Sequence, residues 1–134
     1  MIRWFERHYK ISFVIFLVVA LFIVYISSKP YDPVPKIKIP LKPVIYHLGV
    51  FFLLALFLMM SMCRGKNIDW IFFSVIFAVF YAITDELHQF FIRGRAASSF
   101  DIFLDSVGAL FAFMIYMVSV EWRNGKIKTN LNSS

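Results

Sequence analysis

The polar side chains of this chain are concentrated in one segment, YAITDELHQFFIRGRAASSFDIFLDSVGALFAF at residues 81–113, within apolar surroundings. They are carboxylates, a histidine, an amide and two arginines, at Asp85, Glu86, His88, Gln89, Arg93, Arg95, Asp101 and Asp105. Carboxylates and histidines can transfer protons, and arginine can bind phosphate through paired hydrogen bonds. Because ionisable groups are costly in hydrocarbon, such residues in a membrane segment indicate a functional site.

Helical spacing places the first of these residues on one face. Glu86, Gln89 and Arg93 follow i, i+3 and i+7, and Asp85 is four residues before Gln89. With a rise of about 1.5 Å per residue, Glu86 lies roughly 10 Å deeper than Arg93. The carboxylates are therefore predicted to lie below the lipid headgroups.

The next apolar segment carries two acidic residues followed by small ones. Asp101, Asp105, Gly108 and Ala112 follow i, i+4, i+7 and i+11. A stripe of this kind predicts close packing against another helix, with Asp105 facing the interior of the bundle. The sequence SSFD at 98–101 also resembles a capping box, so that a helix-capping role for Asp101 is an equal alternative.

The charges of this region do not balance. Four carboxylates face two arginines, with His47 and His88 able to take up protons. Either some carboxylates are protonated, or the histidines are charged, or a cation is bound. Two histidines with carboxylates could hold a metal, but the spacing matches no zinc signature, so no metal and no other cofactor is assigned. Arg93 and Arg95 can also be interfacial residues that reach lipid phosphates.

The composition identifies an integral membrane protein. Of 134 residues, 60% are hydrophobic, against about 45–50% in soluble domains. At about 20 residues per spanning helix, we expect about four crossings and no soluble domain. Cys63 is the one cysteine, which excludes an internal disulfide. The net charge of +6 is spread over loops and tails, which favours topology signals over nucleic-acid binding.

The chain is predicted to be a single all-α membrane domain, 1–134. Spanning helices are predicted at residues 11–26, 44–62, 70–92 and 100–120. Residues 27–43, which contain all five prolines, are predicted to form an extracytoplasmic loop, and residues 124–134 a disordered tail. The first apolar run is long for a signal peptide and lacks an A-x-A-like site, which favours a retained helix.

The distribution of lysine and arginine favours cytoplasmic termini. Eight such residues lie in the N-terminal segment, the second loop and the tail, at Arg3, Arg7, Lys10, Arg64, Lys66, Arg123, Lys126 and Lys128. Six lie on the other side, and two of these are Arg93 and Arg95. Trp4, Trp70 and Trp122 all fall at the side predicted to be cytoplasmic, as an aromatic belt would. His47 and the polar residues then share the outer side.

The polar residues resemble the VanZ-like family, whose pattern reads approximately Asp-Glu-x-His-Gln-x-Phe, then Gly-Arg, then Asp, three variable residues, and Asp or Asn before Gly-Ala. Here the matching residues are Asp85, Glu86, His88, Gln89, Phe91, Gly94, Arg95, Asp101, Asp105, Gly108 and Ala109, with His47 in an upstream histidine position in KPVIYH. The resemblance covers roughly residues 42–113. It departs at Arg93, where proline is frequent, at Phe51, where tyrosine is frequent, and near Phe113, where a second glycine is frequent.

The resemblance implies a cell-membrane protein associated with the envelope. VanZ-like proteins are small membrane proteins named for a teicoplanin-resistance determinant, and they are associated with reduced susceptibility to lipoglycopeptides. The resemblance thus implies a link to antibiotic resistance of the glycopeptide type, and it implies no particular reaction.

We predict an outward-facing pocket that binds the polar head of a lipid or of a lipid-linked envelope intermediate. Arg95 would hold phosphate and Gln89 would orient its neighbours. Hydroxyls or amines would be bound by Glu86, His88 and Asp105. The remaining predicted members of the pocket are His47, Asp85 and Asp101. Assembly into a homo-oligomer is compatible with the sequence.

An intramembrane hydrolase or transferase is the alternative. Glu86 or Asp85 would act as the general base, His88 or His47 as the acid, and Arg95 would stabilise a developing anion. No serine or cysteine lies convincingly beside a base, which disfavours covalent catalysis. A third alternative is a structural role, in which the polar residues only hold the helices together.

The predicted topology can be tested by labelling in intact cells. A cysteine introduced by Asn132→Cys should be shielded from an impermeant thiol reagent, because the tail is predicted to be cytoplasmic. One introduced by Pro35→Cys should react. The opposite labelling would place the polar residues on the cytoplasmic side and contradict an envelope-facing pocket.

Overall fold

The computed structural model describes residues 1–30, 41–64, 69–95 and 97–132 of the chain. These residues form helices and turns, with no strand among them. The five helices are α1 (Ile2–Arg7), α2 (Tyr9–Ser27), α3 (Leu41–Cys63), α4 (Asp69–Phe90) and α5 (Ser99–Asn132).

Four of these helices are long and apolar enough to cross a membrane. The candidate spans are Tyr9–Ser27, Pro43–Cys63, Asp69–Phe90 and Ser99–Gly125. Their outer faces expose large apolar side chains, such as Leu21, Ile76 and Val118, at 65–69% of full accessibility. Exposed faces of this kind suit contact with lipid rather than water. The prediction of an all-α membrane protein with four spanning helices is confirmed.

The helix boundaries differ from the predicted ones at three places. The short helix α1 was not predicted. Helix α3 begins at Leu41, before the predicted start at residue 44. Pro43 is tolerated in its first turn, because the backbone nitrogens there have no hydrogen-bond partner within the helix. Helix α5 continues to Asn132, where the sequence predicted an end near residue 120 and a disordered tail from 124; its last turns contain no proline. Most of the predicted proline-rich loop, residues 31–40, lies outside the described residues.

Helix α3 is the centre of the bundle. It contacts each of the other four helices, and its residues Leu54, Ala55 and Met59 are fully buried. Helix α5 packs along α3 with its small residues, and Ala109 and Ala112 are also fully buried. The other helices are arranged around this pair.

The contact between α3 and α5 is a close approach of two backbones at Gly108. A Cβ atom added at Gly108 would lie 2.5 Å from the carbonyl oxygen of Leu48 and 3.1 Å from the amide nitrogen of Phe52. Both atoms belong to the backbone of α3, so neither can move aside alone. The close packing predicted from the stripe of small residues is confirmed, and its partner is α3.

Three polar side chains join the helices at the end of the bundle that carries the N-terminus. The buried Glu6 accepts a hydrogen bond of 2.7 Å from the hydroxyl of Tyr116 and forms an ion pair with Arg123. Burial alone would raise the pKa of Glu6, but the hydrogen bonds from Arg123 and Tyr116 and the positive charges of Arg123 and Arg3 outweigh it and hold the pKa below the ordinary 4.5. These contacts fasten α1 to α5. The sequence did not predict them, since Glu6 and Arg123 are 117 positions apart.

We predict that Gly108→Ala destabilises the bundle, by about 1–3 kcal/mol, because the added methyl group would overlap the backbone of α3. The matched control is Gly49→Ala, at a helical glycine of α3 where an added Cβ meets nothing within 4 Å. This control should leave the thermal unfolding temperature of the purified protein unchanged or raise it. Equal unfolding temperatures of the two variants would contradict a tight contact at Gly108.

Candidate functional site

The polar residues predicted from the sequence meet at the end of the bundle opposite Glu6. The last turns of α2 and α4, the first turns of α3 and α5, and the connection between α4 and α5 all contribute. We call this group the polar cluster; its members are Ser27, His47, Asp85, Glu86, Gln89, Arg95 and Asp105. All of them except Arg95 are buried.

Asp85 is held from two helices. Ser27 of α2 donates a hydrogen bond of 2.9 Å to its Oδ2 atom, and Gln89 of α4 donates one of 2.8 Å to the same atom. The i, i+4 spacing predicted that Asp85 and Gln89 share a face. Ser27 was missed, because it is a common residue at the end of a spanning helix and no spacing connects it to residue 85.

Arg95 joins the cluster to the carboxyl end of α2. Its guanidinium group donates to the side-chain oxygen of Gln89 at 2.8 Å and to the carbonyl oxygens of Ile26 at 2.8 Å and Lys29 at 3.1 Å. Carbonyl groups at a helix end lack partners within the helix. Arg95 is a donor to the carbonyl of Lys29, and it adds a second bond to that of Ile26, which also accepts one of 3.2 Å from the backbone nitrogen of Lys29. It also fixes the amide of Gln89 so that its nitrogen faces Asp85.

His47 and Asp105 form a buried pair across the contact between α3 and α5. The Nδ1 atom of His47 lies 2.9 Å from Oδ1 of Asp105, and the two residues are 7% and 1% exposed. Asp105 lies about one turn before Gly108, where the two backbones touch. The close approach of the helices thus brings the imidazole and the carboxylate into contact.

Glu86 connects α4 to the start of α5. Its Oε1 atom accepts a hydrogen bond from the backbone nitrogen of Ser98, and the hydroxyl of Ser98 accepts one of 3.3 Å from the backbone nitrogen of Asp101. The bond to Asp101 is the one that a capping box predicts. In a capping box the side chain of the third helical residue, here Asp101, would also accept a hydrogen bond from the backbone nitrogen of the capping residue, here Ser98. In this structure Glu86 is that acceptor. The carboxylate of Asp101 therefore does not supply the second bond of the predicted capping box, and only its backbone nitrogen takes part.

The three buried carboxylates share one feature. Each has one oxygen held by the protein, and the other is buried and has no hydrogen-bond partner among the described residues: Oδ1 of Asp85, Oε2 of Glu86 and Oδ2 of Asp105. The hydroxyl of Tyr46 is in the same state. Asp85 interacts electrostatically with both Glu86 and Asp105. The site therefore offers oriented hydrogen-bond acceptors that the described part of the protein leaves unsatisfied.

Of the predicted site residues, His88 and Asp101 lie outside the polar cluster, and so does Arg93. His88 is exposed, and its Nε2 atom lies 3.0 Å from the hydroxyl of Ser28. Arg93 is exposed in the turn after α4. His88 and Arg93 therefore lie on the surface of the bundle, His88 on α4 and Arg93 on the connection after it. Among the residues that the structure describes, no three histidine, cysteine, aspartate or glutamate side chains are placed to share a metal ion.

A family model described as VanZ/LLP1 matches residues 5–120. The match includes the polar cluster and most of the four spans. The chain belongs to the VanZ/LLP1 family. The predicted resemblance over residues 42–113 is confirmed and extends in both directions. No curated protein and no solved structure matches the chain.

The VanZ/LLP1 motif divides in the structure into a buried and an exposed part. Of the four fixed positions of its Asp-Glu-x-His-Gln element, only the histidine, His88, is exposed, and the variable position, Leu87, is exposed beside it. Gly94, which precedes Arg95, has a φ of 80°, a backbone conformation that glycine adopts without strain. The turn at Gly94 reverses the chain, so that Arg95 reaches back to α2.

We predict that Arg95→Lys destabilises the polar cluster, because a lysine has one donor group where Arg95 reaches three acceptors on two elements. Loss of the hydrogen bonds to the carbonyls of Ile26 and Lys29 should cost about 1–3 kcal/mol. The measurement is thermal unfolding, together with faster amide exchange in the last turn of α2. Arg93→Lys, at an exposed position in the same turn, is the control and should change neither. A result in which Arg95→Lys behaves like this control would show that the contacts to α2 contribute nothing.

Proposed function

We propose that the polar cluster binds the polar head of a membrane lipid or of a lipid-linked envelope intermediate. The observation that supports this proposal is the shared state of Asp85, Glu86 and Asp105, each with one oxygen fixed and the other buried without a partner. A buried acceptor without a donor costs about 1–3 kcal/mol. A ligand that supplies hydrogen-bond donors to these oxygens would remove this cost. Its binding would therefore be favoured over that of a ligand without donors.

The chemistry of the site favours a head group rich in N–H or O–H donors, such as an amine or a sugar. The unpartnered carboxylate oxygens can only accept hydrogen bonds while they are ionised. Glu86, Asp85 and Asp105 would contact the ligand directly. Gln89 and Arg95 would orient them, and the positive charge of Arg95 would favour a phosphate group of the lipid nearby.

The proposal places the site at the outer face of the cell membrane, as the distribution of basic residues predicts. Membership of the VanZ/LLP1 family fits a link to glycopeptide resistance of the teicoplanin type. A protein that holds an envelope lipid or precursor would act in the layer that such antibiotics reach. The lipid would be the partner, and no nucleic acid is involved.

An acid–base enzyme acting on the same lipid is the second candidate, and the pair of His47 and Asp105 supports it. A carboxylate on Nδ1 of an imidazole fixes the ring and its tautomer, which leaves Nε2 for proton transfer. Glu86 or Asp85 would be the general base and His47 the acid in a hydrolase or transferase. His88 does not fit this role, because it lies outside the cluster.

Glu86→Gln tests the proposal. The glutamine keeps an oxygen for the backbone nitrogen of Ser98 but replaces the charged, unpartnered oxygen by an NH₂ group. Native mass spectrometry of the purified protein would compare phosphatidylethanolamine and a glycosyl diacylglycerol, which carry donors, with phosphatidylcholine, whose trimethylated amine has none. We expect the wild-type protein to retain a donor-bearing lipid preferentially, and Glu86→Gln to reduce that preference about tenfold, the worth of one hydrogen bond to a charge.

Glu121→Gln, an exposed change at the opposite end of the bundle, is the control and should keep the preference. If the wild-type protein retains no donor-bearing lipid above phosphatidylcholine, the proposal is wrong. If Glu86→Gln also unfolds the bundle in that case, the cluster has only a structural role. A retained lipid that changes mass with time would favour the enzyme.

A further inference from the structure

A separate concave surface lies between α2 and α3, on a side of the bundle that faces lipid. This groove has a volume of about 360 Å³ and is lined by apolar side chains, among them Val18 and Phe22 of α2 and Ile45 and Leu53 of α3. All lining residues lie within the spans Tyr9–Ser27 and Pro43–Cys63. The groove is therefore located in the hydrocarbon region of the membrane.

Gly49 opens the groove. It lines the concave surface, and a Cβ added there would meet nothing within 4 Å. Gly108, by contrast, is required by the packing of α5. A glycine inside a helix is less favourable than alanine by about 1 kcal/mol. The packing of the bundle gives no reason for Gly49, whereas a ligand lying in the groove would.

Tyr46 separates the groove from the polar cluster. Its side chain lines the groove and lies 6.4 Å from Phe22, measured between ring centroids. Its hydroxyl is buried without a partner among the described residues, and it interacts electrostatically with Asp85 and Arg95. The apolar groove and the polar cluster are thus adjacent, with one unpartnered hydroxyl at their junction.

We infer that this groove binds one hydrocarbon chain of a membrane lipid whose head group occupies the polar cluster. The inference rests on the proposed function for its head-group part. A helix of a partner protein is about 10–12 Å across and would not fit a space of this size. The volume falls instead in the range of about 300–1,000 Å³ that small-ligand sites occupy. The hydroxyl of Tyr46 would donate to an oxygen where head group and chain join.

The test uses lipids with a photoreactive acyl chain. Phosphatidylethanolamine and phosphatidylcholine with the same diazirine-bearing chain would be placed in turn in phosphatidylglycerol vesicles with the full-length protein, and labelled residues mapped by peptide mass spectrometry. We expect labelling to concentrate on Phe22, Ile45 and Leu53 rather than on the lipid-exposed Phe72 and Ile76 of α4. Gly49→Leu should reduce groove labelling roughly tenfold, as the exclusion of about two CH₂ groups would.

Gly125→Leu adds the same side chain where an added Cβ also meets nothing within 4 Å, outside the groove, and should leave groove labelling unchanged. Gly49→Ala fills the groove less and should have a smaller effect in the same direction. Labelling spread equally over the groove and α4, or labelling of the groove that persists in Gly49→Leu, would overturn the inference.

The same experiment separates the two proposals. Concentrated groove labelling that is equal for both lipids would support the chain site and contradict the preference for a donor-bearing head group. A preference for phosphatidylethanolamine by mass spectrometry, together with uniform labelling, would support the head-group site and contradict the groove.

Discussion

The close approach of α3 and α5 at Gly108 determines the arrangement of the rest of the bundle. Lipid is as apolar as a leucine side chain, so helices in a membrane associate through close packing and polar pairs rather than through exclusion of water. At Gly108 the backbones of α3 and α5 are in direct contact, because the carbonyl oxygen of Leu48 lies 2.5 Å from where a Cβ at position 108 would be. About one turn away, the same geometry brings His47 to 2.9 Å from Asp105. Helix α3 is thereby fixed at the centre, and α2 and α4 pack around it.

The polar cluster combines two requirements that usually conflict. Groups that stabilise a bundle in hydrocarbon should be fully paired, since an unpaired polar group there is costly. Groups that recognise a ligand must keep some hydrogen-bonding capacity unused. Asp85, Glu86 and Asp105 meet both requirements with different oxygens, one fixed by the protein and one without a partner. The fixed oxygen also orients the other, so a ligand of the proposed kind would meet acceptors that are already held in place.

The sequence predicted the class of fold and that most members of the polar cluster lie close together, because both leave local signals. Apolar runs of the right length predict spans, and helical spacing predicts that Asp85 and Gln89 share a face. The glycine in the stripe of α5 likewise predicted a tight contact, but it could not identify α3 as the partner. Ser27, Tyr46 and Glu6 were missed, since their roles depend on residues far along the chain. His88 was included because helical spacing places it three residues from Asp85, although it projects outward.

The ion pair between Glu6 and Arg123 has a consequence for the order of events during synthesis. Glu6 lies in α1, which is synthesised before α2 to α5, whereas Tyr116 and Arg123 lie in the fourth of the described spans. Until that span has been made, a carboxylate that is 5% exposed in the finished bundle lacks both of its side-chain partners. Helix α1 therefore gains its fastening only after α5 has been made. The N-terminal end of the bundle is the last part to close, and a nascent chain truncated before α5 retains an unlocked first helix.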